Sequence, residues 1–172
     1  MTKDISNAEF VAEHKRLLLK VQDNCSKLPQ AELPLLHDFA PGVYLRRILM
    51  PAGTFVIGKT HKTEHFNIVL SGKARVMVDG EISAYQAGDV FVSKAGTKKT
   101  LYILEDMVWM TAHPTEETDL DELEKICVCT NEEEKLLIEE EIKNHGLRIK
   151  EGRKEKEGRK EEKINHLEEV LL

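Results

Sequence analysis

Between residues 43 and 112 the chain is a succession of short β-type segments, most of them closed by a turn signal. VYLRRILM at 43–50 runs into Pro51-Ala52-Gly53. Further segments follow at 54–59, 66–70, 74–78, 81–85, 90–93, 99–104 and 107–112. The breaks between them are Ser71-Gly72, Asp79-Gly80, Gln86-Ala87-Gly88-Asp89 and Ala95-Gly96-Thr97. Asp79-Gly80 is the strongest signal, because a two-residue type I′ hairpin needs positive φ at both central positions. Strands recurring every 8 to 12 residues or so, about that spacing being typical, predict an all-β sandwich or barrel. No helical period competes here, so the class is mainly β.

The flanks read differently. Ser6-Asn7-Ala8-Glu9 fits a capping box. Phe10, Leu17, Leu18, Val21, Cys25 and Leu28 then recur at helical spacing, which predicts an N-terminal helix ending near Pro29. Residues 29–42 hold Pro29, Pro34, Pro41 and Gly42 and read as an irregular connector. After Pro114, Thr118 is placed to cap a helix through Cys127 with Leu120, Leu123 and Ile126 on its apolar face. Thr130 and Glu133 make a second capping box. That helix carries Leu136, Leu137, Ile138 and Ile142 and stops at Gly146. KEGRKEKEGRKEEK at 150–163 is too polar to bury a face, and is a solvated helix or a disordered stretch. The expected organisation is an N-terminal helix and connector (1–42), a barrel (43–114), C-terminal helices (115–146) and a charged tail (147–172).

Charge narrows the function. The net charge is -6, and the acid is concentrated after Glu116. This argues against direct nucleic-acid binding, which needs a basic face. The basic residues of the tail are interleaved with Glu, which is the pattern of a solvated face. Cys25, Cys127 and Cys129 are odd in number and contain no CxxC, so a reduced compartment is expected and no disulfide framework. No apolar run approaches the roughly 18 residues of a membrane span. MTKDISNAEF lacks a signal-peptide core, so a cytoplasmic protein is expected. There is no GxSxG, P-loop or dinucleotide fingerprint.

Two segments carry the chemistry. In GTFVIGKTHKTEHFNIVLSG (53–72), Gly53 is followed by five residues, Lys59, one residue, His61, three residues, His65, six residues and Gly72. In GDVFVSKAGTKKTLYI (88–103), Gly88 is followed by five residues, Lys94-Ala95-Gly96, two residues, Lys99, three residues and Ile103. Both spacings resemble the two cupin motifs over about residues 43–113. With its KAGTK and DLDELE segments, the chain is also similar to small cupins of tailed bacteriophages. The resemblance implies a single cupin jelly-roll barrel and a homodimer as the default assembly. It also implies four inward residues at the metal-ligand positions. Those positions normally hold three His and one Glu, and here they hold Lys59, His61, His65 and Lys99.

The departures shape the functional expectation. Protonated lysines repel a divalent cation, whereas Lys and His together in a concave pocket suit phosphate or carboxylate. The first expectation is a cup that binds or sequesters a small anion, such as a phosphorylated sugar, nucleotide or carboxylate. Lys59, His61, His65, Asn67 and Lys99 would line it. The second is a metal-dependent enzyme, isomerase-like or dioxygenase-like. It would hold Zn, Fe, Mn or Ni on His61 and His65 plus a third ligand from Glu64, Asn67 or His113. Strand alternation turns Glu64 to the opposite face. The third is an assembly protein with a vestigial cup. Arg75 and Tyr102 are weaker site candidates, Lys94 and Lys98 read as surface loop residues, and Trp109 reads as core.

Overall fold

A computed structural model describes residues 7–144 of the chain. Helix α1 spans Asn7–Cys25. Seven strands follow among the described residues: β1 (Leu35–Ala40), β2 (Val43–Met50), β3 (Phe55–Ile57), β4 (His65–Val78), β5 (Glu81–Gln86), β6 (Val90–Ser93) and β7 (Lys99–Pro114). Helices α2 (Leu120–Cys127) and α3 (Asn131–Asn144) close the described chain. The cap at Ser6 and the charged tail lie outside the described residues. No helix among the described residues is long and apolar enough to cross a membrane.

All seven strands pair antiparallel in the order β1-β2-β7-β4-β5, with β3 on β7 and β6 on β4. The registers divide them into two blocks that share the long strands. In one block β2 pairs with residues 107–114 of β7, and β6 with residues 65–68 of β4. In the other, β3 pairs with residues 100–102 of β7, and β5 with residues 73–78 of β4. Met50, Val69, Met107 and Trp109 from the first block pack in one buried cluster with Ala74, Val76, Leu101 and Ile103 from the second. The blocks therefore face each other across one core, as in a jelly-roll barrel. Helix α1 covers the second block from outside, with Leu18 against Met77, Ile82 and Tyr102.

Several local expectations shift. Residues 29–42, expected to be an irregular connector, contain β1, an edge strand whose six residues pair with β2 over their whole length. Its side chains are mostly exposed, so no alternation of burial marks it in the sequence. Ser71-Gly72 does not reverse the chain: β4 runs through it with register shifts against β7 at Val69/Ser71, Ser71/Lys73 and Lys73/Ala74. The two strands expected at 99–104 and 107–112 are likewise one, β7. Asp79 (φ 50) and Gly80 (φ 84) do make the β4–β5 hairpin.

The helices differ in their faces. Asp119, not Thr118, caps α2 by accepting from the amides of Asp121 and Glu122. The buried stripe of α2 is Leu123 and Cys127, while Leu120 and Ile126 are exposed. The Thr130–Glu133 capping box is formed in both directions, at 2.8 and 3.2 Å. On α3 it is Glu134 and Ile138 that are buried, and Leu136 and Leu137 that face water.

Candidate metal centre

Three elements bring imidazoles together inside the first block. His65 opens β4 and faces inward in alternation with Asn67 and Val69. His113 lies near the end of β7, opposite Tyr44 of β2, and faces inward with Thr111 and Trp109. His61 sits in the loop between β3 and β4. A backbone bridge to Val128, just after α2, holds it there.

The rings stack, with centroids 4.2 Å apart for His61–His65, 4.8 Å for His65–His113 and 5.3 Å for His61–His113. Each residue can offer one ring nitrogen to a metal ion, and these three atoms lie within 4.8 Å of one another. His65 and His113 are each 2% exposed. Each of the three rings has one buried nitrogen with no hydrogen-bond partner: Nδ1 of His61, Nε2 of His65 and Nδ1 of His113.

The second nitrogen is engaged in two of the rings. His65 Nδ1 lies 2.9 Å from the Thr63 carbonyl, which can only accept, so it carries the proton and Nε2 keeps its lone pair. His113 Nε2 meets the Thr111 hydroxyl at 3.1 Å. Such partners fix the tautomer and ring direction of metal-ligating histidines.

All three imidazoles are held neutral. Burial pushes His61 down to about 2, helped by His65, His113, Lys99 and Arg46. Burial pushes His113 down to about 4, with His65, Arg46 and Lys99 adding to it. His65 is also lowered by burial, against the opposing pull of the Thr63 carbonyl. A neutral imidazole is the form that ligates a metal. Unpartnered buried nitrogens would otherwise cost desolvation energy with nothing in return. The donor set therefore fits a borderline first-row cation, and three-imidazole sites leave a coordination position open.

The same shifts fix a pH response of the metal-free protein. The folded values of His61 and His113 lie below the unfolded value of 6.5. Unfolded chains thus bind more protons between pH 6.5 and 4, and stability is full above that window and lost as pH falls through it. For His113 alone the loss approaches ~3 kcal/mol. The denaturation midpoint measured in chelator should drop between pH 7.5 and 4.5, and drop less in a His61→Gln/His113→Gln variant. Equal pH slopes in the two proteins would contradict this.

Two cations face the same space. Lys99, the first residue of β7, is 8% exposed, and burial lowers it to about 8. Arg46 on β2 shares the inward parity of Tyr44 and Ile48. It acts electrostatically on both His61 and His113. Neither cation has an ion pair among the described residues. The sequence reading missed Arg46. Its signal is the Arg46-Arg47 doublet, since alternation must turn one of two adjacent strand residues inward. Arg47 is the outward one and pairs with Asp38 at 2.8 Å.

The other expected site residues lie elsewhere. Lys59 does not line the cup: its side chain is 61% exposed and its ammonium is held by Glu124 of α2. Asn67 is buried but engaged, donating to Ser93 Oγ at 2.9 Å and accepting from Trp109 Nε1 at 3.2 Å. Glu64 and Lys94 are exposed, and Trp109 is core. Arg75 points outward because the bulge in β4 shifts the alternation by one residue, and Tyr102 packs under α1. Lys98 is not a surface residue, since its ammonium is buried against Glu134. A surface cleft of about 230 Å³ lined by Arg16, Leu19, Lys135, Ile138 and Glu139 shares no residue with the centre.

Residues 46–116 match the family model described as the cupin domain. These residues form a cupin domain. Of its motif positions, only His61 and His65 join the centre as histidines. The third imidazole, His113, comes from outside both motifs. Solved structures similar to this chain include a cupin-2 domain containing protein from Shewanella frigidimarina, with 16% identity over 55% of this chain and 92% of that one, at a TM-score of 0.40. A cupin protein from Bacteroides fragilis has 20% identity over 54% and 86%, at 0.42. A putative ethanolamine utilization protein Q from Salmonella typhimurium has 14% identity over 51% and 72%, at 0.43. No curated protein matches the chain.

Proposed function

We propose that this cupin domain binds a small oxyanion, a carboxylate or phosphate ester, at a divalent first-row metal held by His61, His65 and His113. The observation that carries the reading is the set of three neutral imidazoles, each with an unpartnered buried nitrogen and each able to offer one ring nitrogen within 4.8 Å of the other two. Neutral rings bring no positive charge, so they are poor counter-ions for a free anion and good ligands for a cation. This reverses the order in which the sequence ranked the two functions. Bound there, the metal would act as a Lewis acid on the ligand's oxygen or on water. Lys99 and Arg46 supply the charge that an oxyanion needs, through charge-assisted hydrogen bonds.

Purified protein should carry near-stoichiometric Zn, Fe, Mn or Ni by elemental analysis. Calorimetry of the metal-loaded protein against a panel of carboxylates and sugar phosphates should find a binder. Lys99→Met should weaken it about 10- to 100-fold, the range for losing a hydrogen bond to a charged group. Protein that takes up no metal after reconstitution would sink the metal half. Anion binding indifferent to Lys99→Met would sink the other.

A further inference from the structure

The loop that carries His61 is not held by the barrel alone. Its backbone is tied to the end of α2 and the residues that follow: the Lys62 amide donates to the Cys127 carbonyl at 2.8 Å, and the Cys129 amide to the Thr60 carbonyl at 2.9 Å. On its other side the Gly96 amide donates to the His61 carbonyl at 2.9 Å. Side chains repeat the pattern. Lys59 meets Glu124, and Lys62 meets Glu133 at 2.7 Å and the Lys125 carbonyl at 3.0 Å.

Most of these contacts are exposed, and exposed pairs hold little. One is not. The Glu134 carboxylate of α3 accepts from Lys98 Nζ at 2.8 and 2.9 Å and from the Thr60 hydroxyl. Lys98 and Glu134 side chains are 3% and 6% exposed. Lys98 also donates to Gln22 of α1 at 2.7 Å. A carboxylate placed at the centre of three elements, paired and hydrogen-bonded, tolerates few arrangements of its partners. Thr60 directly precedes His61, so fixing its hydroxyl fixes the origin of the imidazole.

We propose that Glu134 is a positioning residue for the metal centre: through Thr60 it sets where His61 points relative to His65 and His113. The C-terminal helices, outside the residues that match the cupin model, are thereby part of the site. The consequence for metal rests on the reading above. The cause does not, and is testable without metal.

The test uses the full chain and Thr60→Val, Thr60→Ser and Glu134→Gln variants. Thr60→Val removes the hydroxyl at nearly constant volume and leaves the Lys98–Glu134 pair intact. Without metal, amide hydrogen exchange at Lys62, Gly96 and Cys129 should quicken at least tenfold in Thr60→Val and Glu134→Gln, while Val76 and Ile103 in the core keep their protection. Titration with Co²⁺ alone should show affinity falling 10- to 100-fold, the ~10–100-fold range for losing a partner that orients a ligand, with a displaced visible band. Thr60→Ser should restore both. If Glu134→Gln fails to fold, Lys98→Met/Glu134→Leu keeps the packing without a buried charge and should show the same two losses. Unchanged exchange in Thr60→Val overturns the proposal, and so does Co²⁺ binding of wild-type strength and spectrum. Failure of the wild type to bind Co²⁺ overturns the metal reading instead, and the exchange rates still decide the role of Glu134.

Discussion

His113→Gln should empty the centre of metal while leaving the barrel folded. This is the most discriminating single substitution. His61 and His65 occupy ligand positions of the family motif, so their loss would weaken almost any account of a metal in this cup. His113 lies in neither motif. It enters the account only because β7 continues far enough to set it opposite Tyr44. Gln keeps most of the volume beside Tyr44 and retains an amide that can bond Thr111. Removal of one of three ligands should lower Zn²⁺ affinity by more than about 100-fold, since an outer-shell partner alone is worth about 10- to 100-fold. Competition against a chromophoric chelator reads this directly. A variant that holds Zn²⁺ like the wild type would show that the imidazole cluster is not the ligand set.

Gly72→Ala should produce the largest loss of stability of any single methyl addition in the barrel. Gly72 has φ +81, in the left-handed region that a side chain rarely tolerates. A Cβ there would lie 2.4 Å from the Asp106 carbonyl oxygen and 2.7 Å from Met107 Cα. Both are backbone atoms of β7, so no rotamer change relieves the contact. The left-handed conformation costs roughly 1–2 kcal/mol for an L-residue, and forced displacement in a packed interior adds about 1–3. The sum, ~2–5 kcal/mol, corresponds to a melting-temperature drop of about 5–15 °C for a chain of this size. Calorimetric melting within a degree or two of wild type would show that β7 can move aside freely.

Gly72 also shows why part of the fold was readable from sequence and part was not. Asp79-Gly80 and the Thr130–Glu133 box are local devices, complete within four residues, and both form as their chemistry requires. Ser71-Gly72 is local too, but positive φ serves a turn and a bulge equally well. Only the long ladder to β7 decides between them. Strand β1 went unread because an edge strand with mostly exposed side chains leaves no alternating pattern.

The site follows the same division. His61 and His65 were legible from motif spacing, and His113 only as one of several possible third ligands. Lys59 fits the family register, yet Glu124 of α2 draws its ammonium outward, an event 65 residues away in the chain. Arg46 could have been found from strand parity. Glu134 could have been suspected, because it lies one turn before Ile138 on the buried side of α3. Its partner Lys98 could not, since only the folded chain brings them together.

The shared strands have a bearing on how a small molecule comes and goes. Because β4 and β7 pass through both blocks and stay paired on either side of the bulge, the two walls of the barrel cannot part without breaking that pairing. Of the three imidazoles only His61 is carried by a loop, tied to the end of α2 by two backbone hydrogen bonds rather than by a sheet ladder, so it is the one an arriving ligand displaces at least cost in strand pairing.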